Sequence, residues 1–263
     1  MGSPPADEAR RHTDDPLTED GAPDRHAAPP PPLEAHHRNV QGGAARAAVF
    51  GVSDGLVSNV ALILGMAGAN PGPGIVRLAG LAGLVGGAVS MAAGEYISMT
   101  AQSELLEREL EMERLELKRR PEYERAELVQ LYRSRGIEAD TAEQLASALM
   151  RDPDVALETH AREELGIDPG DLGSPVAAAV SSFLAFAAGA LIPLLPWFFG
   201  SGAAAIAAAV VLGAVSALTV GALLARFTGR SVARSAFRQL IWSAVPAAVT
   251  YAIGSAVGVG AAG

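Results

Sequence analysis

Cysteine is absent from this sequence of 263 residues, and only 5% of the residues are aromatic and 19% charged. Without cysteine the chain forms no disulfide bond and offers no thiolate. Any bound metal must therefore be held by oxygen, imidazole or thioether ligands. The sequence also lacks a Gly-Lys-Ser/Thr loop that would cradle a phosphate, so nothing in it indicates ATP hydrolysis.

The acidic residues are confined to a few parts of the chain. Of the 29 acids, 8 precede residue 35 and 19 lie between Glu104 and Asp171. The remaining two, Asp54 and Glu95, stand inside apolar stretches. The net charge of -9 is therefore a property of the segments that we expect to lie in water.

Five apolar stretches are long enough to span a bilayer, which takes about 20 apolar helical residues. The last three contain no charged residue. A soluble helical core would show a polar face at the helical period, and barrel strands would be short and alternating. The sequence thus predicts an all-α membrane protein with five transmembrane helices. The predicted spans are residues 47–68, 78–101, 175–199, 203–225 and 240–262.

The basic residues predict the orientation in the membrane. Nineteen of the 20 lie in segments that share one side of the five-span topology, and only Arg77 falls on the other. Basic residues favour the cytoplasmic side, so we expect the N-terminus inside and the C-terminus outside. Heavy use of alanine, glycine and arginine fits a bacterial inner membrane.

The chain divides into four parts by composition. Residues 1–43 are rich in proline, alanine and charge, carry no signal of the cleavable kind, and are predicted to be a disordered cytoplasmic tail. Residues 44–101 hold the first two spans, and residues 173–263 hold the last three. Residues 102–172, here called the charged segment, are predicted to form a cytoplasmic helical domain.

The two acids inside the apolar stretches are candidates for an ion pathway. An ionisable side chain costs about 2.5 to 3.5 kcal/mol at the bilayer centre on insertion scales. Met91, Glu95 and Met99 recur at four-residue spacing, which predicts one helix face with two thioethers beside a carboxylate. That combination suits a borderline or soft cation. The alternative is that Asp54 and Glu95 bond to neighbouring helices and the methionines pack, but the sequence indicates no buried base opposite them.

The charged segment is predicted to be helical throughout. High helix propensity after residue 101 indicates that the second span continues into the cytoplasm as one long helix. Pro121 suits the first turn of a second helix. A third is predicted to begin near Thr141 with Gln144 in a capping box, and a fourth covers 154–165.

Spaced carboxylates in these helices allow two interpretations. One is a solvated acidic face paired with nearby arginines. The other is a metal site, since carboxylates and imidazole from several helices hold iron or manganese in helical bundles. Spacing alone does not decide between them. The candidate ligands are Glu113, Glu116, Glu124, Glu127, His160 and Glu164.

Taken in order, these features resemble the vacuolar iron transporter family. The resemblance runs from about Val49 to the C-terminus and includes the acidic segment between spans two and three. The matching stretches are residues 51–56, 90–96, 113–128, 162–166 and 191–196.

The resemblance implies a homodimer of five-span protomers that exports Fe2+ from the cytoplasm by antiport against protons. It implies that Asp54 and Met91 line the pathway, with Glu95 close by. It also implies that the glutamates of the charged segment form a cytoplasmic metal-binding hairpin that captures the ion. His160 stands where the family commonly has a methionine, which bears on metal preference.

Several expectations accompany this resemblance. Iron, manganese, zinc and cobalt share these ligands, so the preferred metal stays open. We expect a transporter and not an enzyme, with no catalytic cofactor and no nucleic-acid partner. The alternatives are a ferroxidase-like di-iron membrane enzyme or a transporter that prefers Mn2+ or another divalent metal.

Overall fold

The structure, a computed structural model, describes residues 43–170 and 173–261. Every regular element in these ranges is an α-helix, which confirms the all-α fold class. The predicted tail lies outside the described residues, apart from Gly43, which opens the first helix. The helices are α1 (Gly43–Gly68), α2 (Pro73–Arg119), α3 (Pro121–Ser134), α4 (Ala139–Leu149), α5 (Pro153–Glu163), α6 (Pro175–Leu194), α7 (Pro196–Phe199), α8 (Gly202–Thr228) and α9 (Val232–Ala261).

Five of these helices, α1, α2, α6, α8 and α9, are long and apolar enough to cross a membrane. The second continues past its apolar part as one helix of 47 residues, as the sequence predicts. The third apolar helix is shorter than predicted and ends at Leu194, and α7 begins at Pro196. Proline lacks the N–H that would continue the helical hydrogen bonds, so the chain starts a new helix there.

Helix α1 lies at the centre of the apolar helices and packs against α6, α9, α2 and α8. Its crossing with α6 depends on glycine on both helices. A Cβ atom at Gly55 would collide with the backbone of Phe186, and one at Gly189 would collide with the carbonyl of Val52. Small residues allow such close approach of helix backbones in membranes. The crossing fixes the polar residues of α1 relative to α6.

In the charged segment, α3 and α4 share a small apolar core. Leu128 and Tyr132 of α3 pack on Ala142 and Ala146 of α4. The predicted start of α4 is wrong by two residues: the helix begins at Ala139. The side chain of Glu138 accepts hydrogen bonds from the backbone N–H groups of Asp140 and Thr141, at 3.0 and 3.4 Å. Glu138, and not a Thr141–Gln144 box, caps the helix.

Helix α5 is capped by an acid as well. The side chain of Asp152 accepts from the backbone N–H groups of Asp154 and Val155. Pro153 occupies the first helical position, where its missing N–H costs nothing. Helix α5 packs against the polar part of α2, and this contact brings its last turn to the candidate ligands of α2.

Candidate metal sites

The structure brings the candidate ligands of the charged segment together at one place. Three helices supply them, because the break at Arg120 separates α2 from α3 and the α5 contact adds a third side. The six are Glu113 and Glu116 on α2, Glu124 and Glu127 on α3, and His160 and Glu164 at the end of α5.

His160 lies at the centre of this acidic cluster. Its Nδ1 atom is 3.2 Å from Oε1 of Glu113, 3.5 Å from Oε1 of Glu164 and 3.9 Å from Oε2 of Glu124. Two groups of three residues place one ligand atom each within 4.8 Å of one another: Glu113, His160 and Glu164, and Glu113, Glu116 and Glu124. Glu113 belongs to both groups, so the cluster has room for one cation or two adjacent ones.

The ligand atoms are buried but are not satisfied by one another. His160 is 0% exposed, Glu124 3% and Glu113 6%. Both ring nitrogens of His160 and Oε1 of Glu113 lack a hydrogen-bond partner among the described residues. Nδ1 and Oε1 are close enough for a hydrogen bond, yet their orientation does not make one. Buried polar atoms of native proteins are normally paired. Atoms that converge without bonding suit a shared cation at the centre.

The electrostatics of the cluster also favour a cation. The pKa of Glu113 is raised to about 7, first by burial and then by repulsion from Glu124, Glu164, Glu116 and Glu127. Burial likewise raises the pKa of Glu124 to about 7, and Glu127 is the carboxylate that adds most to it. A divalent cation would relieve both causes, because it neutralises the repulsion and replaces lost water as a partner.

In the apolar helices, Asp54 and Met91 border two cavities. The first, here called the α1–α2 cavity, has a volume of about 260 Å³ and is also lined by Phe186 of α6. The second, the Arg46 cavity, has a volume of about 490 Å³ and is also lined by Glu95. The structure therefore places all three predicted pathway residues beside one another, on α1 and α2.

A base lies beside one of the two membrane acids, although it is not buried. Nη2 of Arg46 is 3.4 Å from Oε1 of Glu95, and Arg46 lines the cavity named after it. Arg46 is half exposed, whereas Glu95 is mostly covered. The contact joins α1 to α2, so the spacing of residues along either helix does not predict it.

Met99 does not join Met91 and Glu95 at the cavities. It is buried in a separate apolar cluster with Ala47 of α1 and Ala178 of α6. A four-residue step overshoots the helical turn by about 40°, so two steps rotate a residue about 80° around the helix. Among the described residues that line the cavities, Met91 is the one that offers a thioether.

Three polar residues of the α1–α2 cavity, Ser58, Asn59 and Ser90, were not predicted as site residues from the sequence, and Asn59 is the most buried of them. Asn59 of α1 is 1% exposed and lines the cavity together with Asp54 and Met91. Its Nδ2 atom donates to the carbonyl of Ala190 on α6 at 2.6 Å. Its Oδ1 atom is buried and has no hydrogen-bond partner among the described residues.

Comparison with known proteins agrees with this architecture. Residues 45–255 match the sequence profile of the VIT family. Vacuolar iron transporter 1 of Oryza sativa is 32% identical over 229 residues, which cover 85% of this chain and 91% of the rice protein. The vacuolar iron transporter of Acanthamoeba castellanii is 41% identical over 161 residues, 60% of this chain. That alignment spans 58% of the amoebal protein, less than two thirds of its length.

Proposed function

This chain belongs to the VIT family, and from that premise we propose that it moves a divalent transition metal, Fe2+ first, out of the cytoplasm in exchange for protons. It is an integral membrane protein with five helices that can cross the bilayer. The observation that carries the proposal is the placement of Asp54 and Met91 together on two cavities among these helices.

In this proposal the charged segment captures the ion. The unpaired nitrogens of His160 and the raised pKa of Glu113 and Glu124 support it, because each describes a site that gains from a positive charge. Carboxylate oxygen with imidazole suits Fe2+, Mn2+, Co2+ and Zn2+. The ten basic residues of the segment support a cytoplasmic location for it.

The captured ion then passes along Glu95, Met91 and Asp54. Arg46 holds Glu95 before the ion arrives, so a cation at Glu95 must displace that guanidinium. Protonation of the membrane carboxylates from the outer side weakens their hold on the metal and releases it. Deprotonation towards the cytoplasm restores the site.

A homodimer completes the proposal. Asp54 and Ser58 are exposed on one face of α1 in the single protomer. A charged side chain facing lipid is costly, and intramembrane acids usually face a cavity or a partner. Apposing the α1–α2 faces of two protomers would enclose Asp54 and convert the open cavities into a covered path.

A second candidate, a di-iron oxidase, is favoured by the two ligand groups that share Glu113. Helical di-iron sites use a Glu-x-x-His pair on two helices, and the charged segment holds one histidine, His160. This function also gives Asp54 and Met91 no role. Oxygen consumption after addition of Fe2+ separates the two: transport predicts no consumption above that of protein-free buffer.

Uptake into liposomes tests the transport function directly. The purified protein is reconstituted, the lumen is made more acidic than the medium, and Fe2+ is kept reduced outside. We expect Fe2+ to accumulate, and to accumulate more slowly when the two pH values are equal. An Fe2+ flux equal to that of protein-free liposomes would overturn the proposal. Competition of Fe2+ uptake by Mn2+, Co2+ and Zn2+ ranks the metals by preference.

A further inference from the structure

We propose that Asn59 is a metal ligand, and that the α1–α2 cavity is a binding subsite in which its amide oxygen acts together with the Asp54 carboxylate and the Met91 thioether. The proposal deepens the transport function given above and rests on it. Its ligand is a divalent cation that has lost part of its hydration shell.

The orientation of the amide carries the first step. Nδ2 of Asn59 donates to the Ala190 carbonyl at 2.6 Å. The reverse orientation would set two acceptor oxygens against each other, because a backbone carbonyl accepts and does not donate. Oδ1 therefore points away from α6. It faces α2 at Gly83, where an added Cβ atom would lie 2.9 Å from it, and Gly83 itself lines the cavity.

The state of Oδ1 carries the second step. The side chain is 1% exposed, and Oδ1 has no donor among the described residues. A buried polar atom without a partner is destabilising. The hydrogen bond from Nδ2 to α6 therefore does not by itself explain why Oδ1 points into the cavity. A cation, or a water molecule bound to one, is the partner that this oxygen lacks.

The cavity has the size and the chemistry for such a ligand. Its volume of about 260 Å³ exceeds that of several water molecules, each of which takes about 30 Å³ in the liquid. Ser58 and Ser90 add hydroxyl oxygens to its lining. Carboxylate, amide and hydroxyl oxygens with one thioether form a mixed set suited to borderline divalent ions.

The position of Asn59 gives the subsite a direction. Asp54 is exposed on the protomer surface, whereas Asn59 is buried five residues further along α1, a rise of about 7.5 Å. A cation that moves from Asp54 to Asn59 passes from the open side of the path into its enclosed part. Asn59 is then the oxygen that replaces water as the ion is dehydrated.

The competing role for Asn59 is purely structural, as a link between α1 and α6. Two substitutions divide the roles. Asn59→Leu removes both the link and the ligand oxygen, whereas Asn59→Asp removes the Nδ2 donor but keeps an oxygen in the cavity. Thr250→Val is the matched control, because Thr250 of α9 donates to the Ala61 carbonyl of α1 at the same 2.6 Å and does not line the cavity.

Binding of Mn2+ to the purified full-length protein, followed by electron paramagnetic resonance, is the primary test. The measurement uses a background in which Glu113, Glu116, Glu124 and Glu127 are all alanine, so that the charged segment contributes little. We expect Asn59→Leu to weaken Mn2+ binding at least about tenfold, the lower end of the loss seen for residues that support metal ligands. We expect Asn59→Asp and Thr250→Val to keep it.

Competition between Cd2+ and Mn2+ adds a second measurement. A purely structural role of Asn59 predicts no change in the preference between the two metals. Loss of an oxygen ligand beside Met91 should shift the preference of Asn59→Leu from Mn2+ towards the softer Cd2+. The inference is overturned if the background protein binds no Mn2+, if Asn59→Leu binds it unchanged, or if Asn59→Leu and Asn59→Asp are weakened equally. If Mn2+ binding depends on Asn59 but the protein transports no metal into liposomes, the subsite is supported and the proposed transport function is contradicted.

Discussion

Asp54 is the residue on which the proposed pathway depends most. It lines both cavities, and Gly55 beside it lets α6 approach closely enough to hold this turn of α1 in place. A carboxylate at this position can both bind a cation and exchange a proton, whereas its amide counterpart keeps the shape and loses both properties.

Asp54→Asn is therefore expected to abolish Fe2+ uptake into liposomes while leaving the fold intact. Metal binding to the charged segment should survive, because Glu113, Glu124 and His160 are untouched. Uptake driven by a pH gradient tests the loss of transport, and calorimetric metal titration tests whether the charged segment still binds metal. Near-normal uptake by well-folded Asp54→Asn protein would contradict the pathway and the roles of Met91 and Glu95.

The sequence predicts charged residues of the membrane helices better than neutral ones. Asp54 and Glu95 stand out because ionisable groups are rare in apolar stretches. Asn59 carries no charge and does not stand out in the hydropathy pattern, although it lines the α1–α2 cavity together with Asp54. The positive-inside rule assigns Arg46 to the flank of the first span and says nothing of a partner, and only the fold shows its contact with Glu95.

Among the elements, the three helices around His160 behave as a unit whose charge depends on pH. The pKa of Glu113 and of Glu124 is raised from 4.5 to about 7 in the folded, metal-free protein. Between these values the native state binds more protons than the unfolded state. The free energy of unfolding of the metal-free segment therefore falls as pH rises from about 4.5 to 7.

Metal affinity should show the opposite trend. A cation competes with protons for these two carboxylates, so each proton displaced weakens binding by up to tenfold per pH unit below about 7. We expect calorimetric titration of the full-length protein to give affinity that drops by about 30-fold from pH 7 to pH 6, since two carboxylates with pKa values of about 7 each lose most of their ionised form over this range. The variant with Glu113→Gln and Glu124→Gln should bind weakly and with a flatter pH profile. A wild-type affinity independent of pH would contradict the shared site.

Replacing Glu113, Glu116, Glu124 and Glu127 together with alanine should lower Fe2+ binding and leave the apolar helices folded. The control removes equal charge at Glu104, Glu107, Glu109 and Glu111 of α2, which belong to neither ligand group. Calorimetry on both purified proteins decides between the two interpretations of the acids. Equal losses of Fe2+ affinity in the two variants would support the interpretation of all eight residues as a solvated acidic face.

The helices of the charged segment are predictable from local signals, and their meeting point is not. Helix propensity predicts the continuous α2, and Pro121 marks the start of α3. The capping box at Thr141 is wrong because Glu138, earlier in the chain, accepts from the N–H groups of Asp140 and Thr141 and so starts the helix before Thr141. The contact of α5 with α2 depends on tertiary packing, which spacing along one helix does not contain.

At the scale of the whole molecule, the proposed orientation places residue 201 outside and residue 230 inside. Ser201 and Arg230 are both exposed, at opposite ends of α8. In this cysteine-free chain, Ser201→Cys should react with an impermeant maleimide in intact cells, and Arg230→Cys only after permeabilisation. Labelling at position 230 but not at position 201 in intact cells would reverse the topology.

The continuity of α2 sets the distance over which the two candidate sites must cooperate. Glu95 and Glu113 lie on the same helix 18 residues apart, which is about 27 Å at the rise of an α-helix. Within one chain that is too far for a cation to pass from ligand to ligand without diffusing through water. The cluster around His160 would then serve as a reservoir that raises the local concentration of metal near the pathway. A reservoir works best at moderate affinity, because an ion held too tightly is withheld from transport.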